Sequence, residues 1–175
     1  HLCHITGTER DYLISRYPLT GEFEFSLDAN LGHWGESNVG YGGLVAEMLN
    51  GGSSIAIFPV GKHESLSLPD VLDRSHQFNR LTIQVSPGRI RFRNNDQLCF
   101  EEHQPSGTSP FLMLEDWGEW KGMFRRAKLT GQPVIPREVK LIDGNRLDGW
   151  ASNFYPAKGQ PARLTVRHAK PAGQS

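Results

Sequence analysis

The stretch Gln77–Glu102, QFNRLTIQVSPGRIRFRNNDQLCFEE, determines the predicted fold. In it, apolar and polar residues alternate in three short runs, separated by Pro87–Gly88 and by Asn94–Asp96. Because successive side chains of a strand point to opposite faces, each run is typical of a strand with one buried face. The stretch therefore predicts a three-stranded antiparallel meander.

The two loops also predict the register of this meander. If Pro87–Gly88 and Asn94–Asp96 form the loops, the apolar residues of all three strands share one face. The expected opposite pairs are Val85 with Ile90, Ile83 with Phe92, Phe92 with Leu98, and Ile90 with Phe100. We expect this apolar face to pack against a second layer.

Strand signals recur through the rest of the chain, and no segment shows a sustained 3.6-residue apolar period. In Glu22–Ala29 the apolar residues alternate with Glu22, Glu24, Ser26 and Asp28, which predicts a strand with one wet face. Further predicted strands are Val39–Leu49, Ser53–Val60, Phe111–Glu115 and Met123–Thr130. Short, half-buried antiparallel strands predict an all-β fold in which two antiparallel sheets form a β-sandwich.

Charge and hydropathy exclude two classes of partner. The 175 residues contain 19 Lys and Arg and 19 Asp and Glu, so the formal net charge is zero. This argues against a protein held to nucleic acid by bulk charge. No apolar run approaches the roughly 18 residues that span a bilayer, so we expect no membrane span.

The ends of the chain bear on its organisation. We expect a sandwich over residues 1–131 and a C-terminal extension over 132–175, with Pro133 and Pro136 at the boundary. The extension either packs back on the sandwich or opens a truncated second domain. Because the chain begins at His1 instead of Met, we expect a mature product or fragment of a larger chain with neighbouring domains. Cys3 and Cys99 either pair or remain free thiols.

The order of the motifs resembles concanavalin-A-like, laminin-G-like jelly rolls. The stretches that carry the resemblance are Pro18–Phe25, Val39–Gly43, Phe78–Ile83, the hairpin Arg89–Glu101 and the closing strand Phe124–Gly131. The pattern continues in Pro133–Arg137 and Leu147–Trp150, and is similar to a planctomycete-type family of unknown function with this fold. The resemblance covers residues 10–150 and implies a jelly-roll sandwich.

Sandwiches of this kind often bind carbohydrate, which the resemblance implies in general terms only. A sugar site needs an aromatic platform with polar groups beside it. The candidate residues lie around two glycine-containing segments: Trp117 and Trp120 with Glu115 and Asp116, and Trp34 with Tyr41. The alternative is that these rings cap the ends of the core.

Our leading hypothesis is a non-catalytic carbohydrate-binding or interaction module of a larger protein, extracellular or in the cell envelope, with a glycan as ligand. One alternative is a glycoside-processing jelly-roll enzyme whose catalytic residues are not placed. Its candidate carboxylates, Glu22 and Glu24, lie about 7 Å apart along one strand face. A purely structural domain is the other alternative.

Two further features concern ions. No cofactor is expected, although calcium could bind to oxygens of Asn38, Glu115 and Asp116, because hard cations need only clustered oxygens. Arg89, Arg91 and Arg93 form a basic stripe on the meander, and Glu101 can lie across from Arg89. The stripe could hold an acidic or sulfated glycan, or be an ordinary solvated strand face.

Overall fold

The computed structural model describes residues 2–5, 10–30, 37–42, 44–49, 54–59, 66–67, 77–103, 110–117 and 122–138. In these residues the regular elements are all strands. In chain order they are β1 (Leu2–Ile5), β2 (Arg10–Ile14), β3 (Thr20–Asn30), β4 (Ser37–Tyr41), β5 (Leu44–Leu49), β6 (Ser54–Pro59), β7 (Leu66–Ser67), β8 (Phe78–Ser86), β9 (Arg89–Asn94), β10 (Gln97–His103), β11 (Met113–Trp117) and β12 (Gly122–Val134). The described ranges contain no helix long and apolar enough to cross a bilayer.

The strands form two six-stranded antiparallel sheets. The first sheet has the order β1-β12-β3-β8-β9-β10, and the second has the order β2-β11-β4-β5-β6-β7. The chain changes sheet six times: after β1, β2, β3, β7, β10 and β11. The predicted all-β, two-sheet sandwich is confirmed.

The hydrophobic core lies between the sheets. From the first sheet it contains Phe23, Leu27, Ala29, Leu81, Ile83, Val85, Ile90, Phe92, Cys99 and Phe124, and from the second sheet Val39, Tyr41, Leu44 and Ala46, together with Leu112 just before β11. Ile83 and Phe92, the centre of the predicted apolar face, are fully buried. Phe100 is partly buried against the same cluster.

The first hairpin of the meander has the predicted register. Val85 pairs with Ile90, and Ile83 pairs with Phe92. Gly88 has a φ of +68°, which a glycine adopts without steric cost. Pro87 and Gly88 therefore form the loop as the sequence predicted.

The second hairpin differs from the predicted register. Asn95 and Asp96 form a two-residue loop, with φ of 46° and 66°, as a primed hairpin turn requires. An irregularity between Leu98 and Phe100 then places Phe100 opposite Phe92. The expected pairs of Phe92 with Leu98 and of Ile90 with Phe100 are wrong: the shorter loop places Leu98 opposite Arg93, and the bulge leaves Leu98 exposed while Cys99 is buried.

The predicted strand Val39–Leu49 is two strands. Tyr41 pairs with Leu44, so β4 and β5 form a hairpin at this point. Gly42 has a φ of +67°, and this left-handed conformation lets the chain reverse direction. Gly42 therefore marks a turn and not a bulge within one long strand.

The wet face predicted for Glu22–Ala29 is only partly wet. Glu22 is exposed, but Ser26 and Asp28 each retain only 5% of their accessible surface. Long arginine side chains from neighbouring strands cover them, since Arg80 donates to both Ser26 and Asp28. Alternation of residue type identified the face correctly but not its burial.

The last strand of the first sheet is longer than predicted. β12 continues beyond Thr130, and Gly131 pairs with Phe23 while Val134 pairs with Thr20. Residues 139–175 lie outside the described residues. The division of the chain at residue 131, and the packing of the extension, therefore stay predictions.

The two cysteines lie in strands at opposite edges of the first sheet. Cys3 is in β1 and Cys99 is in β10, five strand spacings apart, which at about 4.8 Å each is roughly 24 Å. A disulfide needs Cα atoms within about 7 Å. Cys99 is a free, buried thiol, and burial raises its pKa.

Candidate functional site

Several strands that contain or adjoin the predicted site residues terminate at the same end of the sandwich. We call it the polar end, and it is the end at which Asn30, Ser37, Trp117 and Gly122 lie. Ser37 pairs with Asp116, and the short connections 31–36 and 118–121 join the two sheets here. The segments that contain Trp34 and Trp120 therefore attach beside Trp117, although both residues lie outside the described residues.

The polar end is also where buried polar side chains concentrate. Among the residues that the structure describes, ten are polar or charged and buried, and only Ser26 and Thr82 of these lie nearer the middle of the first sheet. The others lie within three residues of a strand end at the polar end: Asp28, Asn30, Ser37, Asn38, Asn79, Asn94, Glu115 and Asp116. Buried polar groups carry a high free-energy cost unless they are hydrogen-bonded, so this end depends on polar contacts such as that from Asn95 Nδ2 to Asn79 Oδ1 at 2.7 Å.

Glu115 and Asn38 lie next to each other on the outer face of the second sheet. They are opposite in register, and Asn38 Nδ2 donates to Glu115 Oε2 at 3.3 Å. Their neighbours Leu114 and Val39 belong to the core side. Nevertheless both polar residues are buried, at 2% and 0% exposure, so the Glu115 carboxylate is enclosed.

Asp116 points to the opposite face of the same strand, since adjacent residues alternate. It pairs with Ser37, whose hydroxyl accepts a hydrogen bond from the Met123 backbone at 3.0 Å. That bond links the second sheet to β12 of the first. Glu115 and Asp116 consequently diverge and cannot act together on one ligand group.

Tyr41 lies in the core instead of the predicted platform. Its hydroxyl donates to the Leu19 carbonyl at 2.6 Å, and its ring meets Phe23 edge to face at 5.4 Å. It stands at the end of β4 away from Ser37 and shares the core face with Val39. The sequence associated Tyr41 with Trp34 because Tyr41 lies on the strand that follows the Trp34 segment, but the sequence alone did not show which face of that strand Tyr41 occupies.

Trp117 is the last residue of β11 and pairs with Arg10 of β2. The sequence predicted that this strand ends at Glu115, which placed Asp116 and Trp117 in the following loop. In the structure the strand includes both acidic residues and Trp117. Of the predicted site residues, the structure thus brings Glu115, Asp116 and Trp117 to the polar end.

Carboxylates elsewhere are engaged by neighbouring side chains. Gln84 Nε2 donates to Glu24 Oε2 at 2.9 Å. Arg91 donates a short hydrogen bond to Glu101, which lowers the pKa of that carboxyl, and Arg89 lies 3.8 Å from it. Within the described ranges, no group of three or more His, Cys, Asp or Glu side chains could hold a metal ion.

Sequence reasoning missed a second cluster near the polar end. The carboxylate of Asp28 lies 2.9 Å from Arg80 Nη1, 3.3 Å from Arg125 Nε and 3.5 Å from Arg126 Nη1. Alternation in β3 and β8 places Asp28 and Arg80 on one face, so their contact could have been found from the register. Arg125 and Arg126 of β12 both reach Asp28 because β12 contains a bulge, and the sequence does not show this bulge.

Solved structures share this fold at low sequence identity. The carbohydrate-binding module CBM66 from Bacillus subtilis has a TM-score of 0.57 at 10% identity, over 73% of this chain and 86% of that one. Galectin LEC-6 from Caenorhabditis elegans has a TM-score of 0.52 at 8% identity, over 74% and 96%. The exoplasmic/lumenal domain of VIP36, in a Ca2+/Man-bound form, has a TM-score of 0.51 at 12% identity, over 77% and 79%. The fold is therefore the jelly-roll sandwich of carbohydrate-binding modules and galectins.

Sequence comparison gives a family. No curated protein matches the sequence significantly. A family model matches residues 82–169, which is just over half of the chain, and runs from β8 through the closing strand β12 into the extension. The chain therefore belongs to the family described as "Protein of unknown function (DUF1581)".

Proposed function

We propose that the chain is a non-catalytic carbohydrate-binding module of a larger protein, and that the glycan binds at the polar end. The observation that carries this proposal is the concentration of buried polar residues at the end of the sandwich where Asn30, Ser37, Trp117 and Gly122 lie. Binding residues are commonly held on loops by a rigid scaffold. Here the scaffold is two sheets fixed to each other by bonds such as that from Met123 to Ser37.

The residue types fit a sugar ligand. Tryptophan provides a flat apolar surface for a sugar ring, and adjacent polar groups fix its orientation. Trp117 ends β11 at this end, and the sequence has Trp34 between Asn30 and Ser37 and Trp120 between Trp117 and Gly122. The fold shared with CBM66 and galectin LEC-6 supports the proposal by analogy, because fold alone does not determine function.

The arrangement of carboxylates favours binding over hydrolysis. Glycosidases need two carboxyl groups that face one another across the sugar bond. Glu115 and Asp116 lie on opposite faces of β11, and Glu24 accepts a hydrogen bond from Gln84. We therefore rank the glycoside-processing alternative second.

Affinity gel electrophoresis against a panel of polysaccharides tests the proposal. We expect retention on at least one polysaccharide, and its loss in Trp117→Ala or Trp120→Ala. Tyr17→Ala is the matched aromatic control, because Tyr17 is half exposed and follows the end of β2 opposite to Arg10. No retention on any polysaccharide, or equal loss in all three variants, would contradict the proposed site.

Two additions to this assay separate the alternatives. Release of reducing sugar that disappears in Glu22→Gln or Glu24→Gln would establish the enzyme instead. Retention that disappears in EDTA and returns with Ca2+ would show a role for calcium, which the opposite orientations of Glu115 and Asp116 do not predict. Retention that is unchanged in EDTA would contradict it.

A further inference from the structure

The Asp28 cluster carries more positive charge than its carboxylate can neutralise. Three guanidinium groups, those of Arg80, Arg125 and Arg126, surround one carboxylate within 3.5 Å. Asp28 is buried, with 8% of its side chain exposed, whereas the side chains of Arg125 and Arg126 are 43% and 74% exposed. The cluster therefore presents an excess of positive charge to solvent.

Each arginine is held in a different way. Arg80 donates to Asp28, to Ser26 Oγ at 2.7 Å and to the Arg126 carbonyl at 3.3 Å. Arg125 reaches Asp28 through Nε, and its guanidinium lies 3.8 Å from the centre of the Phe78 ring. Arg125 is thus held by its Nε bond and by stacking, and no described residue accepts a hydrogen bond from its two terminal nitrogens.

A backbone irregularity brings the third arginine to this face. The register between β12 and β3 shifts between Arg125 and Lys128, and Arg126 has a φ of 54°. A left-handed conformation is uncommon for a residue with a Cβ atom, and such strain concentrates at binding sites. The bulge places two consecutive arginines against Asp28, although successive residues in a regular strand would point to opposite faces.

The whole outer face of the first sheet shares this excess, although the chain is neutral. Its described cationic residues are Arg80, Arg89, Arg91, Arg93, Arg125, Arg126 and Lys128, and its acidic ones are Glu22, Glu24, Asp28 and Glu101. The stripe on the meander has the same charge excess, because Arg89 and Arg91 share one carboxylate, that of Glu101, while Arg93 donates to uncharged oxygens of Gln84 and Asp96. The Asp28 cluster differs in geometry, since its three guanidinium groups converge within 3.5 Å of one buried carboxylate.

We propose that Arg80, Arg125 and Arg126 bind a carboxylate or sulfate group of an acidic polysaccharide. The inference rests on the proposed function, which it narrows to an anionic glycan. Arginine matches the planar, two-oxygen geometry of such groups. The cluster lies near the polar end, because Arg125 is three residues from Gly122 and Asp28 is two from Asn30. One extended glycan can therefore contact both.

Matched pairs of polysaccharides test the proposal directly. We expect gels that contain polygalacturonate to retain the chain more strongly than gels that contain its methyl-esterified form. Gels with dextran sulfate should likewise retain it more strongly than gels with dextran. Arg126→Asn should weaken binding of the charged member about tenfold, the effect of one charge-assisted hydrogen bond. Asparagine tolerates positive φ, so this variant keeps the fold, which its melting temperature checks. Arg89→Asn removes the same charge from the same face at the opposite end and should change binding less than about twofold.

The outcomes separate this inference from the proposed function. Equal binding of charged and neutral members, or retention by neutral polysaccharides alone, overturns the inference and leaves the proposed function standing. Equal weakening by Arg126→Asn and Arg89→Asn overturns it as well, because bulk charge would then explain the binding. Equally tight binding of a short DNA duplex overturns the glycan assignment. No retention on any polysaccharide contradicts both.

Discussion

Gly131 shows how strongly a single residue can determine the path of β12. Its φ is +96°, and a Cβ atom added there would lie 2.7 Å from the Glu22 carbonyl oxygen and 2.9 Å from Phe23 Cα. Both contacts are with backbone and cannot move without shifting β3. Glycine is therefore required for two reasons, conformation and space.

We expect Gly131→Ala to lower the free energy of unfolding by about 3 kcal/mol. Gly88→Ala is the matched control: Gly88 has φ +68° but no atom within 4 Å of the added Cβ, so it should cost only about 1 kcal/mol. Urea denaturation followed by tryptophan fluorescence measures both. Equal losses of unfolding free energy in the two variants would show that the close approach of residue 131 to β3 does not add to the destabilisation.

The thiol of Cys99 gives a second test at the residue scale. Burial raises its pKa, which keeps the thiol in its unreactive neutral form. We expect iodoacetamide at pH 8 to modify Cys99 slowly in the native chain and quickly in urea, as measured by mass spectrometry of the peptide that contains it. Equal rates in the two states would contradict the burial of Cys99.

Residue types indicated the chemistry of the predicted site but not its geometry. Glu115, Asp116 and Trp117 are neighbours in β11, but the burial of the two acidic residues depends on the position of β11 between β2 and β4. That arrangement joins segments about a hundred residues apart in the chain. No local pattern around Asp116 contains this information.

At the scale of elements, the meander shows which parts of a register the sequence determines. The first hairpin follows from Pro87–Gly88, because a single loop length satisfies the apolar pattern. The second does not, since Leu98 and Cys99 are both apolar and either can face the core. The turn at Asn95–Asp96 and the bulge together select Cys99.

This register is tested by two truncations within the meander. Ile83→Ala should lower the free energy of unfolding by about 3–4 kcal/mol, because it leaves a cavity in the core. Leu98→Ala should cost less than about 1 kcal/mol, because Leu98 is 48% exposed. Equal costs in denaturant unfolding would instead favour the unbulged register, in which Leu98 packs against Phe92.

The ion pairs of β9 and β10 predict a dependence of stability on pH. Hydrogen bonding to Arg91 lowers the pKa of Glu101, so its contribution is present above the unfolded-state pKa and is lost as pH falls through the lower, folded-state value. Wild type should therefore exceed Glu101→Gln in stability at neutral pH, and the difference should disappear in strong acid. Because Glu101 is exposed, added salt should also reduce it. A difference that grows in acid would contradict this assignment.

At the scale of the whole molecule, alternation and turn residues were sufficient to predict two packed sheets. The polar end was not predictable in the same way. It arises because short connections bring Asn30, Ser37, Trp117 and Gly122 together from distant parts of the sequence. The binding proposal uses the difference between this end, where buried polar residues concentrate, and the opposite end, where Gly21, Gly42 and Gly88 lie.

The measurement that tests the account most directly is an NMR titration of the 15N-labelled chain with a polysaccharide that retains it. The account predicts that amide shifts concentrate at Ser37, Asn38, Trp117 and Gly122, with Gly21, Gly42 and Gly88 unchanged. Shifts confined to those three glycines and their neighbours would contradict it.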